Sequence, residues 1–388
     1  MALQDIYKKA SLVMKPAAMK EGKLYSQQPH SGDGDFTFSR ANGVQTRINK
    51  HGLIEAVADN TPRLSYELDS NGNVSECPHL LLEPTRTNQI TNSKDFEGWQ
   101  DLRSNSTTTN NNTTAPDGTN TAATIEKTGS DTTILRFFTS YSNFSTIRSA
   151  SIYIKKLSGN PTISFGITDT QDSITPTNEW VRYTKDNVTP TNFGVPIFLD
   201  VEVSGVSGDA VAVWGAQLEE GTYSTSHIPT SGSTEARAQG DFQNTFTGLT
   251  GTSATIFLDF ETKALDSNFA RLFAVNDSVT GDAIYLGMYS TNTIGFFGID
   301  GGAGLPDYKD VISFNERNKL VLTFDGGGNY KYSLNGSIQT GSYTGTSRQY
   351  NEVGRGNIVG ASSNNIQVHQ LVVFNEELSS SEIIELTS

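Results

Sequence analysis

Short runs in which apolar residues take every second position, each broken by a Gly, Asn, Asp or Pro turn, fill most of this chain. SATIFLDFET over 253–262 and NKLVLTFDGGGNYKYSLNG over 318–336 are the clearest examples. A period of two is the period of a pleated strand with one buried face, and it cannot lay a stable stripe on a helix. The composition agrees: charged residues are 18%, aromatics 10%, and 36 glycines supply turns, as expected of many short strands. With 388 residues there is room for several cores. The expected fold is mostly β, a small β-rich N-terminal module followed by two antiparallel β-sandwiches.

The net charge is −14, yet residues 1–50 carry eight Lys/Arg against four Asp/Glu, so the remainder is more acidic still. Such a surface repels phosphates, which argues against nucleic acid as a partner. The basic head suits docking on an acidic protein surface. Cys77 is the single cysteine, so an intrachain disulfide and a CxxC metal site are both excluded. His30, His51, His79, His227 and His369 are scattered without ligand spacing. No apolar run approaches the length of a membrane span and the N-terminus has no signal-peptide core, so no membrane insertion is expected and synthesis in a cytoplasm is.

The expected units are 1–92, 93–231 and 232–388. Residues 1–24 offer a helical face through Ile6, Ala10, Leu12 and Val13, ending at Pro16. Hairpins should follow, with turns at Asn42-Gly43 and His51-Gly52. In the middle unit, Asn105 to Thr121 reads as a Thr/Asn-rich loop. The strands IRSASIYIKKL, PTISFGI, EWVRYTKD, PIFLDVEV and AVAVWGAQL follow, with Ile152, Ile154, Phe165, Val181 and Tyr183 as core. Trp180 and Trp214 lie inside strand patterns and should pack; Trp99, between a glycine and a loop, is open to either environment. WGAQLEEGTYSTSHIPTSGS (214–233) leaves a strand for a polar, patternless exit, the mark of a seam between units. The hairpin around Asp325–Gly328 and a terminal helix capped by Ser379 or Ser380, with Glu382 in its first turn, complete the last unit.

KLYSQQP, FTFSRANGVQTRIN, HGLIEAVADNTPRLSY, PHLLLEPTRTNQITNSKDFEGW and the seam GAQLEEGTYSTSHIPT together resemble a module at the head of many tailed-phage virion proteins. His227 stands where that family usually has Tyr, and Asn42 where it has Ser. ASIYIKK, NEWVRYT and VAVWGAQLEEG resemble jelly-roll carbohydrate-binding modules, and LVVFNEELSSSEIIEL resembles the close of concanavalin A-like (laminin G-like) jelly rolls. These resemblances imply jelly-roll sandwiches in a fibre or appendage at the virion surface. They also imply docking to other virion proteins through the N-terminal module, a homotrimer, and attachment to host-surface polysaccharide. A capsid decoration protein without a ligand, or a polysaccharide depolymerase, are the alternatives.

Catalysis has little support in the sequence. There is no E-x-D-x-x-E run to place acid and nucleophile on one strand face, no GxSxG elbow, and Cys77 has no evident His/Asn partner. No enzyme and no cofactor is the expectation, with structural calcium left open. Asp69, Asn71 and Asn73 alternate oxygen ligands around a glycine as calcium loops do, but the later bidentate Glu of such loops is missing, and a plain Asx/Gly turn is the favoured explanation. Aromatic faces beside amides and guanidinium groups suit sugar rings, which makes Tyr308, Tyr343, Arg348 and Tyr350 the candidate glycan contacts.

Overall fold

The structure, a computed structural model, describes residues 2–20, 23–29, 34–40, 43–69, 72–139, 145–168, 170–190, 197–245, 253–263, 270–276, 283–290, 292–300, 303–304, 308–342, 352–354 and 365–388. The chain is mostly β, and its two large cores are antiparallel jelly-roll β-sandwiches. In the middle sandwich one sheet runs 106–113, 122–127, 210–220, 148–158, 181–188, and the other 170–174, 162–167, 198–204, 133–138, 100–101. Between them Ile125, Ile152, Ile154, Ile163, Phe165, Val201, Val211 and Val213 are removed from solvent. Trp99 joins this core at 6% exposure, which settles its environment.

The terminal sandwich is not built from the last unit alone. Its first sheet orders strands Lys23–Gln28, Leu12–Lys20, Ile366–Phe374, Ala254–Thr262, Asn318–Phe324, Asn329–Leu334 and Ser337–Ser342. His79–Leu82 also pairs with Ile366–Phe374, and Leu64–Ser65 pairs with it in turn. In the facing sheet Thr37–Ser39 pairs with Asp241–Thr245, Phe38 opposite Phe242. Leu12, Met14, Leu24, Phe36, Leu80 and Leu82 therefore enter the same core as Ile256, Leu258, Phe260 and Leu371. Hydrogen bonds thus cross both the 92/93 and 231/232 positions.

Several expectations change for local reasons. The N-terminal helix is only Leu3–Tyr7; Leu12, Val13 and Met14 are strand, opposite Val373, Val372 and Leu371. Burial on both faces rewards the extended form there more than one further helical turn. Pro16 is tolerated because the pairing of this strand with Lys23–Gln28 breaks register between Met14 and Met19, where no ladder donor is required of it. Residues 106–113 of the expected polar loop form a strand against 122–127. The 45–48 strand pairs with 54–57 through the turn at His51-Gly52, as expected, whereas the 37–39 strand turns to 241–245 instead; Asn42 lies outside the described residues.

Other features hold as read. Asp325–Gly328 turns strand 318–324 into 329–334, and a further turn at Asn335-Gly336 leads on to 337–342. Ser379 caps Ser380–Thr387 in a reciprocal capping box with Glu382. That helix and Ile6 and Ala10 cover Phe257, Val321, Val372 and Phe374 on the outer face of the first terminal sheet. Among the described residues no helix is long and apolar enough to cross a membrane.

Candidate functional site

The seam after strand Ala210–Glu220 has no regular structure, yet Tyr223, Ser224, Thr225, His227, Ile228 and Thr230 are all buried. Polar backbone can be buried only where it is paired, and here side chains from other segments do the pairing. Thr46 Oγ1 donates to the His227 carbonyl at 2.6 Å, and Asn88 Nδ2 to the Ile228 carbonyl at 2.9 Å. The Ser93 hydroxyl accepts from Thr230 N at 3.1 Å. A wedge rather than a tether, the seam brings hairpin 45–57, the edge of the middle sandwich and the rim of the terminal sandwich together around a cleft of about 770 Å³.

An ionic cluster lies buried beneath the cleft, reaching its lining at Glu83 and Ser226. Glu83 Oε2 lies 2.5 Å from Arg63 Nη1 and 3.0 Å from Arg237 Nη1, and its carboxylate also accepts from Ser226 N at 2.7 Å and Ser226 Oγ at 2.6 Å. Burial pushes the Glu83 carboxyl up, but Arg237, Arg63 and the two Ser226 bonds outweigh it and hold the group well below the usual carboxylate range. Burial and Arg63 lower the Arg40 guanidinium to about 10; Arg237 falls to about 10 through burial, against the pull of Glu83.

The walls carry aromatic and charged groups. Tyr66, Tyr153, Trp180 and Tyr183 are half-buried along the cleft. Trp180 packs beside Ile54, Ala115, Ala122 and Trp214, and its Nε1 donates to the Thr114 carbonyl at 3.1 Å. Trp180 is thus a wall residue with an exposed portion, while Trp214 is core at 1% exposure. Arg182 donates to Ser151 Oγ at 2.7 Å and to the Thr225 carbonyl at 2.5 Å. Arg47 pairs with Glu55 at 2.6 Å. His227, below the wall, has its ring 4.6 Å from that of Trp214, and neither nitrogen has a hydrogen-bond partner among the described residues. Burial, then Arg182 and Lys94, push its pKa down to about 3.

Glu67 and Glu261 meet at the end of the cleft nearest the terminal sandwich, next to His369 and His79. A search for carboxylates within one strand could not find this pair, because Glu67 follows strand Leu64–Ser65 and Glu261 sits on Ala254–Thr262.

The other predicted residues fall elsewhere. Asn73 donates through N to Asp69 Oδ1 and through Nδ2 to Asp69 Oδ2, both at 2.8 Å, the geometry of an Asx turn; Asn71 lies outside the described residues. So do Tyr343, Arg348 and Tyr350, as does the side chain of Tyr308, whose backbone pairs with Phe296 in strand 308–311. Tyr66, Trp180, Tyr183 and Arg182 were not singled out as a site by the sequence, since hairpin, seam and sandwich edge supply them from distant positions.

No family model matches the sequence, and no curated protein does. The resemblance to phage virion modules therefore stands on the motifs quoted above. Solved structures overlap parts of the chain. The botulinum neurotoxin serotype G binding domain aligns over 38% of this chain and 40% of its own length, at 14% identity and a TM-score of 0.33. The Trypanosoma rangeli sialidase in complex with the inhibitor DANA aligns over 38% and 26%, at 15% identity and a TM-score of 0.32. The Ruminococcus gnavus IT-sialidase CBM40 bound to α2,3-sialyllactose aligns over 35% and 83%, at 17% identity and a TM-score of 0.29. Overlap at these scores assigns no function to the chain.

Proposed function

We propose that this chain is a glycan-binding appendage protein of a tailed-phage particle, and that the sugar occupies the cleft between the sandwiches. The observation that carries the binding reading is the cleft wall: Tyr66, Trp180 and Tyr183, half-buried, beside Arg47, Arg182 and Glu179. Sugar rings have apolar faces that stack on aromatic side chains and hydroxyl rims that pair with charged and amide groups. The particle setting is carried by the sequence motifs alone, with docking through the basic N-terminal segment and trimeric assembly as parts of the same reading.

A glycan array of bacterial surface polysaccharides, followed by calorimetry on any hit, tests the cleft. Trp180→Ala and Tyr183→Ala should each weaken binding by about 1 kcal/mol or more, with the fold retained by circular dichroism. An array without signal, or a hit unaffected by both variants, overturns the cleft assignment. Immunogold labelling of purified particles tests the setting separately, and unlabelled particles remove it. A second reading has one observation in its favour, the proximity of Glu67 and Glu261, since glycosidic hydrolysis uses two carboxyl groups. Release of oligosaccharide from a bound polysaccharide, abolished in Glu261→Gln, would replace binding with depolymerisation.

A further inference from the structure

Strand Ile366–Phe374 carries a bulge. Asp259 faces Gln370 and Phe260 faces Val368, so His369 is the extra residue. Ile366, Val368, Leu371 and Val373 all point into the sandwich core, which leaves His369 and Gln370 together on the outer face. Phe260 is a core residue, so its neighbour Glu261 also faces outward. Leu80 and Leu82 point inward from the strand paired to 366–368, which turns His79 to the outer side. Pleat and bulge thus set three chemistry-bearing side chains on one patch, and Glu67 reaches over it from the 64–65 strand.

We propose that Glu67, Glu261 and His369, with His79 beside them, form a binding site for one divalent ion of the zinc class. Carboxylate oxygens of Glu67 and Glu261 and a ring nitrogen of His369 all lie within 4.8 Å of one another. His79 Nδ1 is 3.7 Å from Glu67 Oε1, and its ring centre is 5.6 Å from that of His369. His369 Nε2 is buried and has no hydrogen-bond partner among the described residues, a cost that a bound ion or its ligand water would remove. Metal bonds of about 2.1 Å require ligand atoms roughly 3.4 Å apart, a closure within reach of the exposed Glu67 side chain.

The electrostatic setting is consistent. Glu67 and Glu261 place two carboxylates within one ligand shell, a pairing that a divalent cation relieves. Arg317, whose charge acts on His369, is engaged in a fork with Asp259 at 2.6 and 2.7 Å. The neutral imidazole, with a free ring nitrogen, is the ligand form. An imidazole ligand with two carboxylates, and a second imidazole at hand, favours zinc-class ions over calcium or magnesium, which prefer all-oxygen shells. The site clamps 64–82 to the terminal sandwich at one end of the cleft, and it stands whether or not a glycan binds.

The test is calorimetric titration of the full chain, without added histidines, with Zn2+, and with Co2+ as an absorbing probe of the ligand shell. One ion per chain should bind, and His369→Gln and Glu261→Gln should weaken it by about tenfold or more, while the exposed His51→Gln leaves affinity unchanged. Zinc should raise the midpoint of thermal unfolding by mass action in the parent and His51→Gln chains only. Failure of the parent chain to bind zinc at millimolar concentration, or equal affinity in His369→Gln and Glu261→Gln with native circular dichroism, overturns the proposal.

Discussion

Arg63 Nη1 lies 2.5 Å from Glu83 Oε2, with the two side chains only 1% and 2% exposed. Ser226, from the seam, bonds the same carboxylate, and Arg237, from the chain beyond it, adds a second guanidinium. One anion thus fastens the N-terminal segment, the seam and the start of the last unit. Replacing one partner of a buried pair leaves the others desolvated and uncompensated, at about 3–5 kcal/mol. Glu83→Gln should lower the free energy of unfolding in urea by that amount.

The same group makes an acid prediction. Its folded-state pKa is depressed from a reference of 4.5, so its contribution is complete above that pH and is lost as pH falls towards the folded value. Stability measured from pH 6 to pH 3 should decline less steeply in Glu83→Gln than in the parent chain.

His227 acts in a higher window. Its pKa falls from 6.5 unfolded to about 3 folded, so between these values the unfolded chain binds the extra proton and stability rises with pH. The loss on acidification should reach roughly a few kcal/mol, at about 1.4 kcal/mol per unit. His227→Phe fills the same place against Trp214 without titrating, and its stability should change less between pH 7 and pH 4. Equal slopes in both proteins would contradict this account of the imidazole.

Gly215 sits in strand Ala210–Glu220 where the pairing with 148–158 slips between Ser151 and Tyr153. Its φ is +66°, and a Cβ there would lie 3.3 Å from His227 Cε1 and 3.4 Å from Tyr153 Cδ2. Left-handed backbone costs an L-residue about 1–2 kcal/mol. Gly215→Ala should lose at least that in chemical denaturation, whereas Gly232→Ala, with no neighbour within 4 Å of the added carbon, loses only the backbone share.

Sharing of strands between distant segments gives a fragment prediction. Expressed alone, residues 232–388 lack the strands at 12–20 and 79–82, which leaves both the flank and the end of strand Ile366–Phe374 unpaired. An apolar open edge is an aggregation site. Size-exclusion chromatography should show soluble aggregate or no soluble protein, and co-expression of residues 1–92 should recover a defined complex.

Local rules carried the reading where the determinants were local. The Asp325–Gly328 turn and the Ser379–Glu382 cap need only neighbouring residues, and both were legible. Residues 106–113 were misread because Thr and Asn on an edge strand give no apolar alternation, although the fold pairs them. Phe38 against Phe242 and Glu67 against Glu261 depend on which strands share a sheet, which periodicity does not encode. Trp180 shows the intermediate case: the strand Val181–Val188 that it immediately precedes was evident, but its place on a cleft wall required the hairpin carrying Ile54.

Strand Leu12–Lys20 finds its partner in Ile366–Phe374, at the far end of the described chain. On a translating ribosome adding about 5–20 residues per second, the early strand waits on the order of tens of seconds before that partner emerges. The middle sandwich, complete by residue 220, can close first, holding the seam ready. Leu12, Val13 and Met14 remain without their shelter during the interval, so this protein's yield should depend on chaperone supply and on elongation speed more than its final stability suggests.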